Sequence, residues 1–349
     1  GLLPEGFQVA WDQFRLPDFV APVAGIRADA DPLELVEHNG KITISGSGMR
    51  IAFSRTTGHL ESIQYRGAEY LERHPQPNFW RPLTDNDLGW NVPGKMGIWR
   101  YEGEQAAMAA FEVLQKNTHR IIVQTEFRLP GTGSAVKTDY EVTANGMITI
   151  THHFMPGAEG LPKLPRLGTE FILTPDFNRL TWFGRGPHET YADRKTGAPI
   201  HLYHGAVREQ YHRYVRPQET GNKTDVRWLA LQNDSLTGLL VVGDALLNFS
   251  AWPFTVQQLE WTPADRGHRH GNDIREENLV TLNIDHAQMG VGGDNSWGLP
   301  VHDEYQIPAK LYSWTYVLKP FRGGIPDMVD QYKRIKADLN RINDEKPSL

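Results

Sequence analysis

Apolar and polar residues alternate with a period of two along most of the chain, and glycine or asparagine turns separate the alternating runs. The clearest run, residues 121–129, places every second side chain on one apolar face. This period is typical of a β-strand with one buried face. Two further runs, 140–142 and 148–154, flank Asn145-Gly146, a dipeptide that tolerates positive φ and predicts a tight hairpin. The pattern therefore predicts a mainly β protein.

Several other segments follow the same period and are predicted to be strands. They are residues 8–16, 42–45, 51–53, 228–232, 237–242, 279–284 and 311–318. This many strands exceeds what one open twisted sheet usually holds, and the strand-helix alternation of a parallel sheet is missing. We therefore expect an all-β fold of two large, packed antiparallel sheets.

The pattern changes near the C-terminus, where apolar residues recur at spacings of three and four between Ile325 and Ile342. This spacing, with Pro326 close to the start, predicts a short terminal amphipathic helix. Near the other end, several prolines between residues 17 and 32 are typical of a linker. The predicted division is a leading segment at 1–34, a main β domain at 35–320 and a helical tail at 321–349.

Composition and charge narrow the range of functions. The 349 residues include 36 Lys and Arg against 42 Asp and Glu, a net charge of -6, which makes nucleic acid and anionic membranes unlikely partners. Cysteine is absent, which excludes disulfides, thiolate metal sites and cysteine nucleophiles. The longest apolar run, Leu236 to Gly243, is far shorter than the roughly 20 residues needed to span a bilayer. The compartment stays open between cytoplasm and periplasm, because a chain without cysteine suits both.

The densest polar cluster is GRGPHETYADR at residues 184–194. Glycines and a proline punctuate it, which predicts an irregular loop between strands. His188 and Glu189 in this loop could act as general acid and base, as sugar epimerisation requires. The alternative is a rigid loop whose charges satisfy one another and the backbone.

Two other polar segments have both a ligand-binding and a structural interpretation. Residues 214–228 combine aromatic rings, arginines and amides, which suit the faces and hydroxyls of sugars, but Tyr214 and Trp228 are equally typical of inward-facing strand residues. Residues 85–87, Asp-Asn-Asp, resemble part of a calcium loop, but the glycine and glutamate spacing of an EF-hand is missing. A turn that caps backbone groups is favoured there.

Histidine pairs are the remaining candidates for a metal site. Adjacent residues of a strand point to opposite faces, so His152 and His153 cannot share one ion, whereas His268 and His270 could. Neither pair is accompanied by further ligands at the spacing of a zinc site. The sequence therefore predicts no bound metal.

Four motifs in order carry a resemblance to a known family. They are FWRPLTDND at 79–87, GRGPHETYADR at 184–194, YVRPQETGN at 214–222 and MGVGGDNSW at 289–297. On these motifs the chain resembles the C-terminal region of bacterial β-galactosidases of glycoside hydrolase family 2, of the lactose-operon type. The resemblance implies a β-supersandwich similar to galactose mutarotases. It also implies that 1–34 is the end of an immunoglobulin-like domain plus a linker, because VAWDQFRLP at 9–17 resembles that domain's final strand.

The resemblance also implies where the chemistry lies. The family's two catalytic glutamates belong to an upstream barrel, so no catalytic residue is expected in this chain, and the family's metals bind in upstream domains, so no cofactor is expected either. Trp297 would stack on bound sugar at the mouth of that barrel's site, with Asp294, Asn295 and Ser296 as its positioning turn. Asn295 stands where an acidic residue is expected. The implied partners are the catalytic barrel domain or subunit, the galactoside and further copies of the full enzyme.

Three hypotheses for the function follow. The first is a non-catalytic C-terminal domain that completes the galactoside site of a β-galactosidase. The second is a stand-alone sugar epimerase that uses His188 and Glu189. The third is a carbohydrate-binding module.

Overall fold

The structure is a computed structural model that describes residues 3–14, 31–260, 269–295 and 297–344. In these residues the chain forms seventeen β-strands, three α-helices and several short 3-10 turns. Every pairing between strands is antiparallel, and the strands belong to two sheets of five and twelve strands. The prediction of an all-β fold built from two antiparallel sheets is confirmed.

The smaller sheet contains the first five strands, in chain order. They are β1 (Glu34–His38), β2 (Lys41–Gly46), β3 (Met49–Ser54), β4 (Leu60–Tyr65) and β5 (Ala68–Glu69). The hairpin predicted over 42–53 is the pair β2 and β3. Ile42, Ile44 and Ile51 are buried, so this sheet directs an apolar face into the core that it shares with the larger sheet.

The larger sheet contains the remaining twelve strands. They are β6 (Leu71–Asn78), β7 (Ala107–Asn117), β8 (Arg120–Arg128), β9 (Ala135–Thr143), β10 (Ile148–Met155), β11 (Arg166–Leu173), β12 (Arg179–Arg185), β13 (Ile200–Ala206), β14 (Lys223–Gln232), β15 (Thr237–Trp252), β16 (Val280–Gln288) and β17 (Tyr312–Arg322). In β8, buried and partly exposed residues alternate, as the sequence predicts. The predicted hairpin at Asn145-Gly146 joins β9 to β10, and Gly146 has a φ of 81°.

Strand β15 is the branch point of the larger sheet. Its first half, up to Gly243, pairs with β17, and its second half, from Asn248, pairs with β16. One branch continues from β17 through β10, β9 and β8 to β7, and the other from β16 through β11 to β6. A Cβ on Gly243 would lie 2.2 Å from the carbonyl oxygen of Ala245, so the irregular backbone between the halves requires glycine there.

Helix α3 (Ile325–Asp344) confirms the predicted C-terminal helix. Its buried residues Met328, Ile335 and Leu339 pack in one cluster with Trp228 of β14, Leu240 of β15 and residues of β17. The inner faces of the same strands contribute Leu229, Val241 and Leu318 to the main core. The helix therefore covers the outer face of the central strands and leaves them buried on both sides.

The strand predicted over Gln8–Leu16 is wrong for its described part. Residues 8–14 are exposed and form no strand, and residues 15 and 16 lie outside the described residues. The alternating pattern is present, but a strand also needs backbone partners, and here a side chain takes their place. The Gln13 amide donates to the carbonyl of Ile200 and accepts from its N–H, both at 2.8 Å, at the edge strand β13. The division into 1–34, 35–320 and 321–349 stays a prediction.

Candidate functional site

A loop that follows β16 carries Trp297, and its base is fixed by the other sequence motifs. The indole side chain is 78% exposed, whereas Met289 at the start of the loop is fully buried. Large aromatic side chains are normally at least half buried, so this exposure is unusual. Side chains of the first two motifs hold the base of the loop through its backbone at residues 289–292.

Arg81, in the first motif, binds the start of the loop. Its guanidinium donates to the carbonyl oxygens of Met289 and Gly290, the latter at 2.8 Å, and pairs with the carboxylate of Asp87 at 2.9 Å. Asp87 is itself held by a capping box with Thr84 at the start of α1 (Asp85–Gly89). The Arg81 and Asp87 side chains are buried, so this pair forms a rigid support.

Two further side chains fix the next residues of the loop. Asn86 of α1 donates to the carbonyl of Val291 at 3.0 Å. Asp193, in the second motif, accepts from the N–H groups of Val291 at 3.1 Å and Gly292 at 2.7 Å. A Cβ on Gly290 would lie 2.5 Å from the Asp193 carboxylate, so the close approach of carboxylate and loop requires glycine.

The turn predicted to position Trp297 is present in its described part. The Asn295 side-chain oxygen accepts from the N–H groups of Trp297 at 3.2 Å and Leu299 at 3.3 Å. An amide oxygen accepts as a carboxylate does, so Asn295 can serve where an acidic residue was expected. Asp294 pairs with exposed His302 at 2.9 Å, and this hydrogen bond raises the pKa of His302. Ser296 lies outside the described residues.

A buried charge cluster lies below the loops and joins the third motif to the sheet. Arg166 of β11 pairs with Glu219 at 3.3 Å and with Asp285 of β16 at 3.2 Å, and all three side chains are fully buried. Burial raises the pKa of Asp285 to about 7, although the Arg166 charge opposes the rise. Such a cluster is costly to break, because removing one partner leaves a buried charge uncompensated. With the ion pair of Arg216 and Asp85 and the hydrogen bond from Asn222 to Thr190, all four motifs contact one another.

Both oxygens of the Glu189 carboxylate are fully engaged in hydrogen bonds. It accepts hydrogen bonds from Tyr214, from Thr220 at 3.1 Å, from the N–H of Gly221 at 2.8 Å and from Arg194 at 2.5 Å. Burial acts to raise its pKa, but these donors and the Arg194 charge outweigh burial and lower it. These contacts agree with the second interpretation of this loop, in which its charged side chains pair with one another and with the backbone. The acid-base role of His188 and Glu189 stays a prediction.

The other candidates from the sequence have structural surroundings. Trp228 is buried against α3, and Asp87 caps a helix, as the turn interpretation expects. His152 is buried while His153 is partly exposed on the opposite face. His268 lies outside the described residues, so its pairing with His270 does too. Within 3–14, 31–260, 269–295 and 297–344, no three metal-ligating side chains converge.

The sequence reasoning assigned no role to Arg81, Asp193 or Arg166, although the first two lie in the quoted motifs. Arg81 lies 209 residues from its loop partner Gly290, Asp193 lies 98 from Val291 and Arg166 lies 53 from Glu219, whereas Asp87 lies only 6 from Arg81. Presence in the motifs was the signal for Arg81 and Asp193, and Arg166 lies outside all four motifs. Their hydrogen bonds and ion pairs join segments that are distant in the sequence and adjacent in the fold.

Comparison with known proteins identifies the family. The family model described as the β-galactosidase small chain matches residues 45–318. The chain belongs to the β-galactosidase small-chain family. A β-galactosidase of Priestia megaterium is 34% identical over 316 residues, and one of Lactobacillus delbrueckii subsp. bulgaricus is 36% identical over 313. These matches cover 90% and 88% of this chain but only 30% and 29% of those proteins, so this small chain spans less than a third of their length.

Solved structures give more distant similarities. A galactose 1-epimerase from Lactobacillus acidophilus aligns with a TM-score of 0.46 and 9% identity, over 85% of this small chain and all of that protein. An aldose epimerase homologue from C. elegans aligns with a TM-score of 0.45, also at 9% identity, over 84% of this chain and all of its own. Within the described residues, no helix is long and apolar enough to cross a membrane.

Proposed function

We propose that this chain is the C-terminal part of a β-galactosidase and that Trp297 stacks on the galactoside at the mouth of an active site supplied by the rest of the enzyme. The observation that carries the proposal is an exposed indole on a loop whose base is held by buried Arg81 and by partly buried Asn86 and Asp193. Membership of the family and coverage of less than a third of its relatives support a larger enzyme.

The physical case rests on how a sugar is bound. A pyranose presents a face of C–H groups, and a flat aromatic ring covers that face without competing for the hydroxyls. An aromatic side chain contributes most when little ordering is needed on binding. Arg81, Asn86 and Asp193 hold residues 290–292 at the base of this loop, so part of the ordering is in place before a sugar binds.

The same proposal makes the isolated chain non-catalytic. Retaining hydrolysis of a glycoside needs two carboxylates placed on either side of the scissile bond, one as acid and one as nucleophile. The carboxylates near the Trp297 loop are engaged: Asp87 pairs with Arg81, and Asp193 accepts two backbone N–H groups. The catalytic pair would then come from the upstream barrel domain or a separate catalytic subunit.

Kinetics of the full-length enzyme test the proposal. Loss of the aromatic platform in Trp297→Ala should cost about 1 kcal/mol or more, which raises KM roughly fivefold or more with a smaller change in kcat. Trp297→Phe, which keeps a ring, should recover most of the loss, and Tyr101→Ala removes another exposed aromatic as the matched control. An unchanged KM in Trp297→Ala would refute the role of Trp297. Turnover of a chromogenic β-galactoside by the isolated chain would refute its non-catalytic nature.

The epimerase hypothesis has a separate test. It needs Glu189 as a base, but the four donors and the lowered pKa make this carboxylate a weak proton acceptor. Polarimetry of freshly dissolved α-galactose with the isolated chain should show no acceleration over buffer. Acceleration that is lost in Glu189→Gln would establish the epimerase instead.

A further inference from the structure

A pocket of about 500 Å³ lies beside the loop of the second motif, and its lining does not include Trp297. One wall is the segment 187–197 that follows β12, and the other is the segment 209–214. Lys223, the first residue of β14, completes the lining. Its volume falls in the range of small-ligand sites, roughly 300–1,000 Å³.

Lys223 is the feature that points to a ligand. Its side chain is almost fully buried, 1% exposed, and its ammonium lies 5.4 Å from the centre of the Trp182 ring. It donates one described hydrogen bond, to the carbonyl of Gly221 at 3.1 Å. An ammonium has three donors, and buried donors without partners are costly. Burial lowers the pKa of Lys223 to about 8, opposed by the charge of Glu189.

The charges that line the pocket favour a neutral ligand. Arg194 is paired with Glu189 at 2.5 Å, and Lys195 is paired with Asp225 at 2.8 Å. The remaining charges are Lys223 and Glu209, which have opposite signs. An anion would gain attraction from Lys223 but meet repulsion from Glu209, whereas a group that both donates and accepts suits the two together.

The lining also offers hydroxyl partners next to ring faces. Glu209 uses Oε2 to accept from the N–H of Ala206 at 2.9 Å, and no hydrogen bond to its Oε1 is described. His188 and His212 are exposed, and the His212 ring contacts Tyr214 edge to face with centres 4.5 Å apart. Imidazoles donate or accept according to tautomer, so the lining suits several hydroxyl groups at once.

We propose that this pocket binds a neutral monosaccharide, with Lys223 donating to sugar hydroxyls, Glu209 accepting from them and the exposed ring of His212 against the sugar face. The site is separate from the galactoside contact at Trp297, and the proposal does not rest on that function. The two sites share one loop, because Asp193 holds the Trp297 loop while its neighbour Arg194 lines the pocket.

Parallel titrations of the wild-type chain and of Trp297→Ala test the site. Galactose, glucose and mannose are added separately, with galacturonate and inorganic phosphate as anionic probes, and binding is followed by calorimetry and by the ring resonances of His188 and His212. We expect saturable binding of at least one neutral sugar. Glu209→Gln and His212→Ala, both at exposed positions, should each weaken that binding about tenfold, and Lys223→Met should abolish it.

Four results would overturn the proposal. The first is that no neutral sugar saturates the chain up to about 0.1 M, and the second is that galacturonate or phosphate binds more tightly than every neutral sugar. The third is an unchanged affinity in both Glu209→Gln and His212→Ala. The fourth is that Trp297→Ala alone abolishes binding. Because Lys223→Met could also unfold the chain, the two exposed variants keep the test decisive. None of these results alters the KM effect expected for Trp297→Ala in the full-length enzyme, so the two proposals fail separately.

Discussion

The carboxylate of Asp193 provides a direct test of how the Trp297 loop is held. Its Oδ1 accepts from the N–H of Val291 at 3.1 Å, and its Oδ2 accepts from the N–H of Gly292 at 2.7 Å. The variant Asp193→Asn keeps one acceptor oxygen but replaces the other with an NH₂ group. Whichever way the amide is turned, one loop N–H then faces a donor and loses its hydrogen bond.

The magnitude follows from the kind of bond that is lost. A hydrogen bond to a charged group contributes about 1.5–3 kcal/mol, and the lower end applies because Asp193 is only partly buried. A loss of about 1.5 kcal/mol raises the equilibrium for local opening roughly tenfold. Global stability should change little, since Arg81 and Asn86 continue to hold residues 289–291.

Amide hydrogen exchange, followed by NMR, measures this opening without any need for activity. The amides of Val291 and Gly292 should exchange about tenfold faster in Asp193→Asn, while amides of the central strand β15 keep their wild-type rates. Asp234→Asn, at a side chain that is 96% exposed, is the matched control and should leave the loop unchanged. Wild-type exchange at both loop amides in Asp193→Asn would show that the carboxylate does not hold the loop.

Three further predictions concern other parts of the molecule. Burial lowers the pKa of His152 to about 3, against 6.5 in the unfolded chain, so its contribution to stability is complete above pH 6.5 and is lost as the pH falls towards 3. Between pH 7.5 and pH 5, the free energy of unfolding in urea should therefore fall by about 2 kcal/mol less in His152→Gln than in wild type. Equal falls in the two proteins would contradict this. Ile335→Ala removes a buried contact of α3 and should lower the free energy of unfolding in urea by about 2–4 kcal/mol. The exposed control Arg334→Ala should lower it by less than about 0.5 kcal/mol. Similar values for the two variants would mean that packing of the helix contributes little to stability. The hydrogen bond to Asp294 raises the pKa of His302, so the charged pair is present at low pH and is lost as the pH rises through that pKa. An NMR titration of His302 should have a midpoint above 6.5, and this midpoint should fall in Asp294→Asn. An unchanged midpoint in the variant would show that the two side chains do not interact.

Strands with one buried face could be predicted from their alternation, and apolar runs located parts of β14, β15 and β16, but the sequence contained no signal for β11 and β6. Alternation located β8, β9 and β10 because one face of each is buried and the other is partly exposed. Every residue of β11 is buried, so its sequence has no period of two to detect. Strand β6 contains Pro75 and Pro77, which argue against a strand, yet it pairs with β11 alone and can tolerate missing N–H groups.

The candidate site was predictable only in part for a similar reason. The family resemblance drew attention to Trp297, and the dense polar cluster drew attention to the motif that contains Asp193. It could not show that Arg166, Glu219 and Asp285 form one buried cluster, because nothing local distinguishes a buried charge from a solvated one. Burial and pairing are properties of the assembled sheets, and they decide which charges support the loop.

The attachments of the Trp297 loop also determine when it can form during folding. Asp193 lies 98 residues before Val291, and Arg81 lies 209 residues before Gly290. Contacts between residues so far apart in the sequence form late in folding. Closing a long loop costs conformational entropy, and this cost falls once the chain between the two residues is already folded. The tryptophan is therefore fixed in place only after strands from both halves of the chain have joined. A correctly placed Trp297 loop then reports that the strands on which it depends have assembled, so a chain that stops short of the native state would lack the loop that the proposed sugar contact requires.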